Sequence, residues 1–343
     1  MTETVPRPEA ASRLDVRRAR PSSFEWKEAV ARAADIGLVP LVLLFAPVAA
    51  ALGRLRHKAP RSRAILDRFN VAIVRHHYYE PILYPGDLRH SLAEERPLPG
   101  LDLNAAGQLR FLEQLRYGSE LRAIPRTVSR EKRYGYRNDS FKAGDAELLY
   151  SMIRHFRPRR LYEIGSGHST LMAREALVRN EEDGAPVCEH VCVEPYEHGW
   201  LEDIPVKVVR ARVEDLDPAF FDKLDAGDIL FIDSSHVIRP QGDVVHEYLS
   251  LLGRLKPGVI VHVHDIFTPR DYLESWVVNE RRMWDEQYLL EAFLSFNTEF
   301  EVICAANWLW HQHPEETAKA CPVLAEEGGE PGSFWFRRVP MER

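Results

Sequence analysis

Residues 161–170, LYEIGSGHST, constrain this chain more than any other stretch. Residues suited to a buried strand, one of them acidic, run into a turn with two glycines and then into residues that open a helix. Gly165 and Gly167, flanking Ser166, allow a tight turn and let the backbone approach a ligand with no side chain in the way. A strand–glycine turn–helix unit belongs to open sheets that bind nucleotide-like ligands at the carboxyl ends of their strands.

The flanking sequence extends that unit into an alternating series. A helix is predicted from Asp145, taken as its N-cap, with Leu148, Leu149, Met152, Ile153 and Phe156 on one face and Pro158 ending it. RLYEIG is the first strand, and a helix follows from about Ser169 to Val178. HVCVE, VKVVR and DILFID are strands two to four, DVVHEYLSLLGRL (243–255) is a helix, VIVHVHD is strand five, and a long helix covers about 271–296. EFEVICAANWLW and GSFWFRRV, with no helix-length periodic segment between them, read as an antiparallel pair. The predicted fold is therefore α/β: a Rossmann-like, seven-stranded, mostly parallel sheet with a terminal antiparallel pair, one edge element reversed, and an N-terminal helical region.

At 343 residues the chain has room for two domains. Residues 1–34 read as a flexible N-terminus and 35–130 as a helical region. The boundary is placed in RTVSREKRYGYRNDSFKAGD, which is polar and basic, so that 131–343 form the second domain. Residues 104–122 place Leu109, Leu112 and Leu115 at helical spacing. Net charge -7 gives no reason to expect a nucleic-acid partner. Four cysteines without CxxC spacing suit reduced thiols in the cytoplasm.

Residues 36–53, IGLVPLVLLFAPVAAALG, carry no charge, and Pro40 and Pro47 are expected to interrupt a helix there. Arginines flank both sides. Three readings stay open: a buried helical hairpin, a segment dipping into one leaflet, or a span. The second would place the protein at the inner face of a membrane.

Glu163 sits inside strand one, and Glu194 closes strand two, where a carboxylate accepts hydrogen bonds from ribose hydroxyls. A nicotinamide dinucleotide uses similar geometry but prefers G-x-G-x-x-G, and Thr170 stands at the third glycine. YEIGSGHST, the Glu194 strand end, ILFIDSSH and the final strand pair together resemble the class I S-adenosylmethionine-dependent methyltransferases, of the bacterial small-molecule O-methyltransferase type, over about residues 135–343. The resemblance implies that Glu163 faces the methionine amino group through the loop and that the Gly165–Ser166–Gly167 turn passes under the cofactor. It also implies that Glu194 binds the ribose, that Val213 and Glu214 hold the adenine, and that Asp233 belongs to the same cofactor site.

Methyl transfer needs an aligned nucleophile and often removal of its proton. Strand four ends in Asp233-Ser234-Ser235-His236 and strand five in His262-Val263-His264-Asp265. Either His264 or His236 is a general base oriented by Asp265 or Asp233, or Asp233 and Asp265 ligate a divalent cation such as Mg2+ that lowers the acceptor's pKa. Catechol-type enzymes resemble the second arrangement, but Ile266 stands where a ligating amide would follow, leaving His264 or His236 as substitutes. His262 is expected to be a buried strand residue on the face opposite His264. Trp276, Trp284, Tyr288 and Phe293 are expected mostly in the core, and YGYRNDSFKAGD is either a cover over the cofactor or a solvated linker. The reaction expected is methylation of a hydroxyl on a small molecule, amphipathic molecule or glycan- or lipid-linked acceptor. An NAD-dependent oxidoreductase and a non-catalytic interaction module on a membrane-associated assembly are the rival readings.

Overall fold

The computed structural model describes residues 23–129, 133–196 and 198–340 and divides into two compact units, Met1–Ile82 and Leu83–Arg343. In the first unit, α1 (Ser23–Leu55) is one 33-residue helix that runs through both Pro40 and Pro47. Each proline removes one hydrogen bond, to the carbonyl four residues back, without ending the helix. The Leu, Val and Ala residues around them keep the rest of the ladder. The buried-hairpin reading is overturned: Ile36 and Leu44 are 72% and 76% exposed, and the residues between them are exposed too. A tight turn (Arg56–Lys58) and α2 (Pro60–Asp67) come next. Of the N-terminus expected to be flexible, 1–22 lie outside the described residues and 23–34 belong to α1.

The second unit begins earlier than the sequence suggests. α3 (Ala105–Leu112) and α4 (Gly118–Ala123) replace the single helix read over 104–122, and Leu112, Leu115, Leu121 and Ile124 join the unit's core. The polar-looking stretch chosen as a boundary is also core. Tyr134, Tyr136 and Phe141 are buried, with the Tyr134 hydroxyl donating to the Phe141 carbonyl at 2.7 Å and the Tyr136 hydroxyl to the Leu121 carbonyl at 3.1 Å. Three buried aromatic rings, the two tyrosines among them with satisfied hydroxyls, outweigh the charged residues beside them.

α5 (Asp145–Phe156) leads into β1 (Arg160–Ile164), followed by α6 (His168–Glu182), β2 (Glu189–Val193), β3 (Lys207–Val209) and β4 (Ile229–Ile232). α7 (Asp243–His246) continues through a wider turn, Glu247–Leu251, and a tighter one, Leu252–Arg254, into β5 (Ile260–Val263). The expected long helix over 271–296 is broken. A wide turn at Ser275–Glu280 ends at Arg281 in the left-handed region (φ 54°), and α8 (Glu286–Leu294) starts afresh. β6 (Phe300–Ala305) stops before Ala306, where α9 (Ala306–Gln312) begins. α10 (Pro314–Ala320), α11 (Pro322–Glu327) and β7 (Phe334–Arg338) complete the chain. These last three helices, of six or seven residues, are too short to show a period in the sequence.

The sheet order is β3-β2-β1-β4-β5-β7-β6. β7 is antiparallel to both neighbours and sits between them, so the reversed strand is one in from the edge rather than at it. Strand alternation splits the core. Leu161, Phe231 and Trp335 pack with α5 and α6 on one face, while Tyr162, Ile164, Val261 and Val263 pack with α7 and α8 on the other. Asp145 is not an N-cap. Gly144 takes that place at φ 88°, and the Asp145 carboxylate accepts the backbone N–H groups of Gly332 (2.9 Å) and Ser333 (2.7 Å), fixing the approach to β7.

Candidate active site

The carboxyl ends of β1, β2 and β4 are stitched together by Gly165 N–H to Val193 O (3.0 Å) and Asp233 N–H to Ile164 O (2.8 Å). Gly165 is required twice over. Its φ is 79°, and a Cβ there would lie 1.9 Å from the Asp233 carbonyl oxygen. Gly167 is extended, and its N–H donates to Thr170 Oγ1 at 3.1 Å. Thr170, at the third position of a nicotinamide fingerprint, in turn donates to Glu163 Oε2 at 2.5 Å, while the Glu163 Oε1 faces His190 Nε2 at 3.0 Å. Glu163 is fully buried beneath the turn and is not on the cavity wall; its carboxylate locks the turn from below.

The cavity beside this turn has a volume of about 910 Å³. Gly165, Ser166, Gly167, Glu194, Val213, Glu214 and Asp233 all line it. Glu194 accepts from two backbone donors, Tyr196 N–H (2.9 Å) and Ser166 N–H (3.3 Å). Ser140 and Phe141, from the stretch read as either a cover over the cofactor or a solvated linker, stand on the wall, where Ser140 Oγ lies 2.9 Å from His168 Nδ1. Sequence reasoning missed Arg239, which also lines the cavity and ion-pairs with Asp243 at 3.5 Å.

Asp233 links this cavity to a second group. Its Oδ1 lies 3.3 Å from His236 Nε2, and Asp265 Oδ2 lies 3.6 Å from the same nitrogen. His236 Nδ1 donates to Glu286 Oε2 at 2.8 Å, and Tyr248 donates to the other Glu286 oxygen at 3.1 Å. His236 (φ 60°) and Asp265 (φ 57°) both occupy the left-handed region, where non-glycine residues are uncommon. The chain around Asp265 is tight: a Cβ on Gly332 would come within 2.9 Å of its Cα. Burial works against the charge of His236, yet the bonds to Asp233 and Glu286 and the charge of Asp265 raise its pKa well above the ordinary value. Burial likewise opposes the charge of Asp233, but His264 and His236 hold its pKa down at about 2.

His264 does not join the cavity wall. It is buried, with Nε2 3.5 Å from Asp265 Oδ1 and its ring 5.2 Å from Phe141 and 5.6 Å from His262. His262 and His264 thus share a face, correcting the opposite-face expectation, because residues two apart on a strand point the same way. His262 is a buried strand residue as expected: it stacks on Phe231 at 4.1 Å and meets Ser333 Oγ at 3.1 Å, and burial with the neighbouring His264 pushes its pKa well down. Sequence reasoning also missed Glu286. It opens α8 in a pattern no different from any half-buried helix, and nothing local marks it.

One ligating atom from each of Asp233, His236 and Asp265 fits within a 4.8 Å group. Two hard oxygens and an imidazole whose tautomer is fixed by Glu286 form a donor set suited to a divalent cation. Asp233 and Asp265 thus converge, and His236 is the imidazole that faces both, whereas His264 approaches Asp265.

A protein-family model described as a methyltransferase domain matches residues 162–266, from within β1 to just beyond β5. Over those residues the second unit is similar to a methyltransferase domain. An uncharacterized protein of Archaeoglobus fulgidus is 28% identical to this chain over 162 residues, covering 43% of this chain and 72% of the relative. Among solved structures, the O-methyltransferase TomG from Streptomyces achromogenes, in complex with SAM, aligns at TM-score 0.35 and 15% identity, over 67% of this chain and 90% of its own. An O-methyltransferase from Bacillus cereus, in complex with SAH, aligns at 0.34 and 14%, over 68% and 90%. At those scores neither likeness bears on the chemistry of this chain.

Proposed function

We propose that the second unit is a methyltransferase domain that transfers the methyl group of S-adenosylmethionine to a hydroxyl of a small molecule, with a divalent cation held by Asp233, His236 and Asp265. Asp233 is the observation that carries this reading. Its carbonyl meets Gly165 of the turn beneath the cavity, and its carboxylate meets His236 of the ligating group, so one residue adjoins both halves of the reaction.

The donor supplies an electrophilic methyl on a sulfonium. Glu194, held in place by Tyr196 and Ser166, is oriented to accept ribose hydroxyls, and the bare Gly165–Gly167 backbone lets the ligand lie against the strand ends. The acceptor hydroxyl must be aligned and relieved of its proton. His236 is ill-suited to take that proton, because both ring nitrogens already face carboxylates that favour its charged form. His264 lies buried away from the cavity wall. A cation at the cluster would lower the pKa of a bound hydroxyl, which favours the metal-assisted reading over the general base. Trp284, whose ring lies 4.3 Å from that of His236, adds an apolar wall beside the cluster.

The nicotinamide reading is disfavoured, because the Thr170 hydroxyl is committed to Gly167 and Glu163 in the turn. A labelled-methyl assay over a panel of hydroxylated small molecules, with and without a chelator, tests the proposal. Incorporation that the chelator abolishes and Mg2+ or Mn2+ restores is the expected outcome. Incorporation indifferent to chelation would return the proton to a protein base.

A further inference from the structure

We propose that α1 is embedded in a lipid bilayer, with the basic segment after it seated on an anionic headgroup surface. Val30–Leu55 is long and apolar enough to cross a membrane, with mean hydropathy 2.3 over its best 18 residues and almost none of that window buried. Successive residues turn by about 100° around a helix, so Ile36, Leu38, Val39, Leu41, Leu43 and Leu44 cover every side of it, and each is about half exposed or more. No polar face remains to be turned to water, as a helix lying flat on a surface would need. The uncharged run from Ile36 to Gly53 is 18 residues, about 27 Å of helix at about 1.5 Å each, against a hydrocarbon core of about 30 Å.

The two prolines fit the same solvent. Proline inside a helix is more frequent in membranes than in water, and here the helix continues through both. The segment beyond the apolar run has the opposite character. Residues 54–68 hold six Lys or Arg residues against one acid, Asp67, and Arg54, Lys58, Arg61, Arg63 and Arg68 are exposed. A basic cluster directly beyond an apolar helix is complementary to anionic lipid headgroups. A second copy of α1 would satisfy the apolar surface but would gather these cations together, so the charge favours lipid.

The test is flotation of the full chain with vesicles of phosphatidylcholine and phosphatidylglycerol, with subsequent washes in high salt and in alkaline carbonate. The protein is expected to float and to resist both washes. The double variant Leu41→Arg/Leu44→Arg is expected to reduce the floated fraction at least about tenfold. Its thermal midpoint and far-UV spectrum for the methyltransferase domain should stay as in the unaltered chain. Three results would overturn the inference: a soluble, discrete oligomer that ignores vesicles, release by salt alone, or a purified protein whose N-terminus begins beyond residue 53.

Discussion

Among the described residues of the second unit, two groups of three ligating side chains differ in what surrounds them. Glu163, His190 and Cys192 form one, and Asp233, His236 and Asp265 the other, each with its donor atoms within 4.8 Å. The first is sealed. All three residues are buried, Glu163 is already bound by Thr170 and His190, and burial, with the nearby Glu163 charge, keeps the Cys192 thiol protonated by raising its pKa. The second opens through Asp233 onto the cavity, and Glu286 from outside the group fixes its imidazole. Proximity of ligating atoms therefore does not make a metal site. Unspent lone pairs and a path to the ligand do.

The strongest way to break that comparison is Asp265→Asn. Losing one carboxylate of the open group is expected to lower methyl transfer about a thousandfold, a few kcal/mol of lost acceptor activation, while S-adenosylhomocysteine affinity changes little. Single-turnover assays beside calorimetry check this, and unaltered turnover would remove the group from the reaction. Another sealed carboxylate gives a pH test. Glu147 is fully buried, and burial pushes its pKa up to about 7 although the backbone N–H groups of Val323, Leu324 and Gly144 pull it down. A raised folded pKa stabilises below the unfolded value of about 4.5 and loses that contribution as pH rises through about 7. The loss is at most about 3 kcal/mol. His236 acts in the same direction, its contribution present below about 6.5 and lost as pH rises through its own raised value. Urea melts with chelator from about pH 5 to about pH 8 should show falling stability. A flat profile would mean that Glu147 is ionised throughout.

Smaller effects sharpen the contrast. Glu163→Ala should leave the Thr170 hydroxyl and His190 ring without their partner and cost about 2 to 3 kcal/mol, read from denaturant midpoints. Cation affinity should be unchanged, and its loss would erase the distinction between sealed and open groups. Glu286→Gln should weaken Mn2+ binding by roughly tenfold to a hundredfold through the imidazole it orients, measured by calorimetry, without altering the donor's affinity.

These residues differ in how far the sequence reveals them. Gly165, Glu194, Asp233 and Asp265 come at the ends of strand runs bounded by turn residues, and an open sheet gathers strand ends in one place, so their convergence was legible. Glu286 owes its place to the packing of α8, through Leu290 and Leu294, on the same sheet face as Val261 and Val263, and local sequence holds no trace of that. Tyr134, Tyr136 and Phe141 were hidden by the Arg, Lys and Asp residues among them. Asp145 looks like an N-cap until β7's approach is seen to need its carboxylate. Glu163 is a conspicuous motif residue whose burial and bond to Thr170 make it a scaffold for the turn.

Everything in the proposed reaction depends on the glycine turn and Glu194 holding a methyl donor rather than a nicotinamide dinucleotide. Calorimetric titration of the full chain with S-adenosylhomocysteine and, separately, NAD, each with and without Mg2+, tests this most directly. Micromolar binding of S-adenosylhomocysteine and none of NAD is the expected result. A preference for NAD would contradict the account, and binding of neither would leave the cavity to a non-catalytic role.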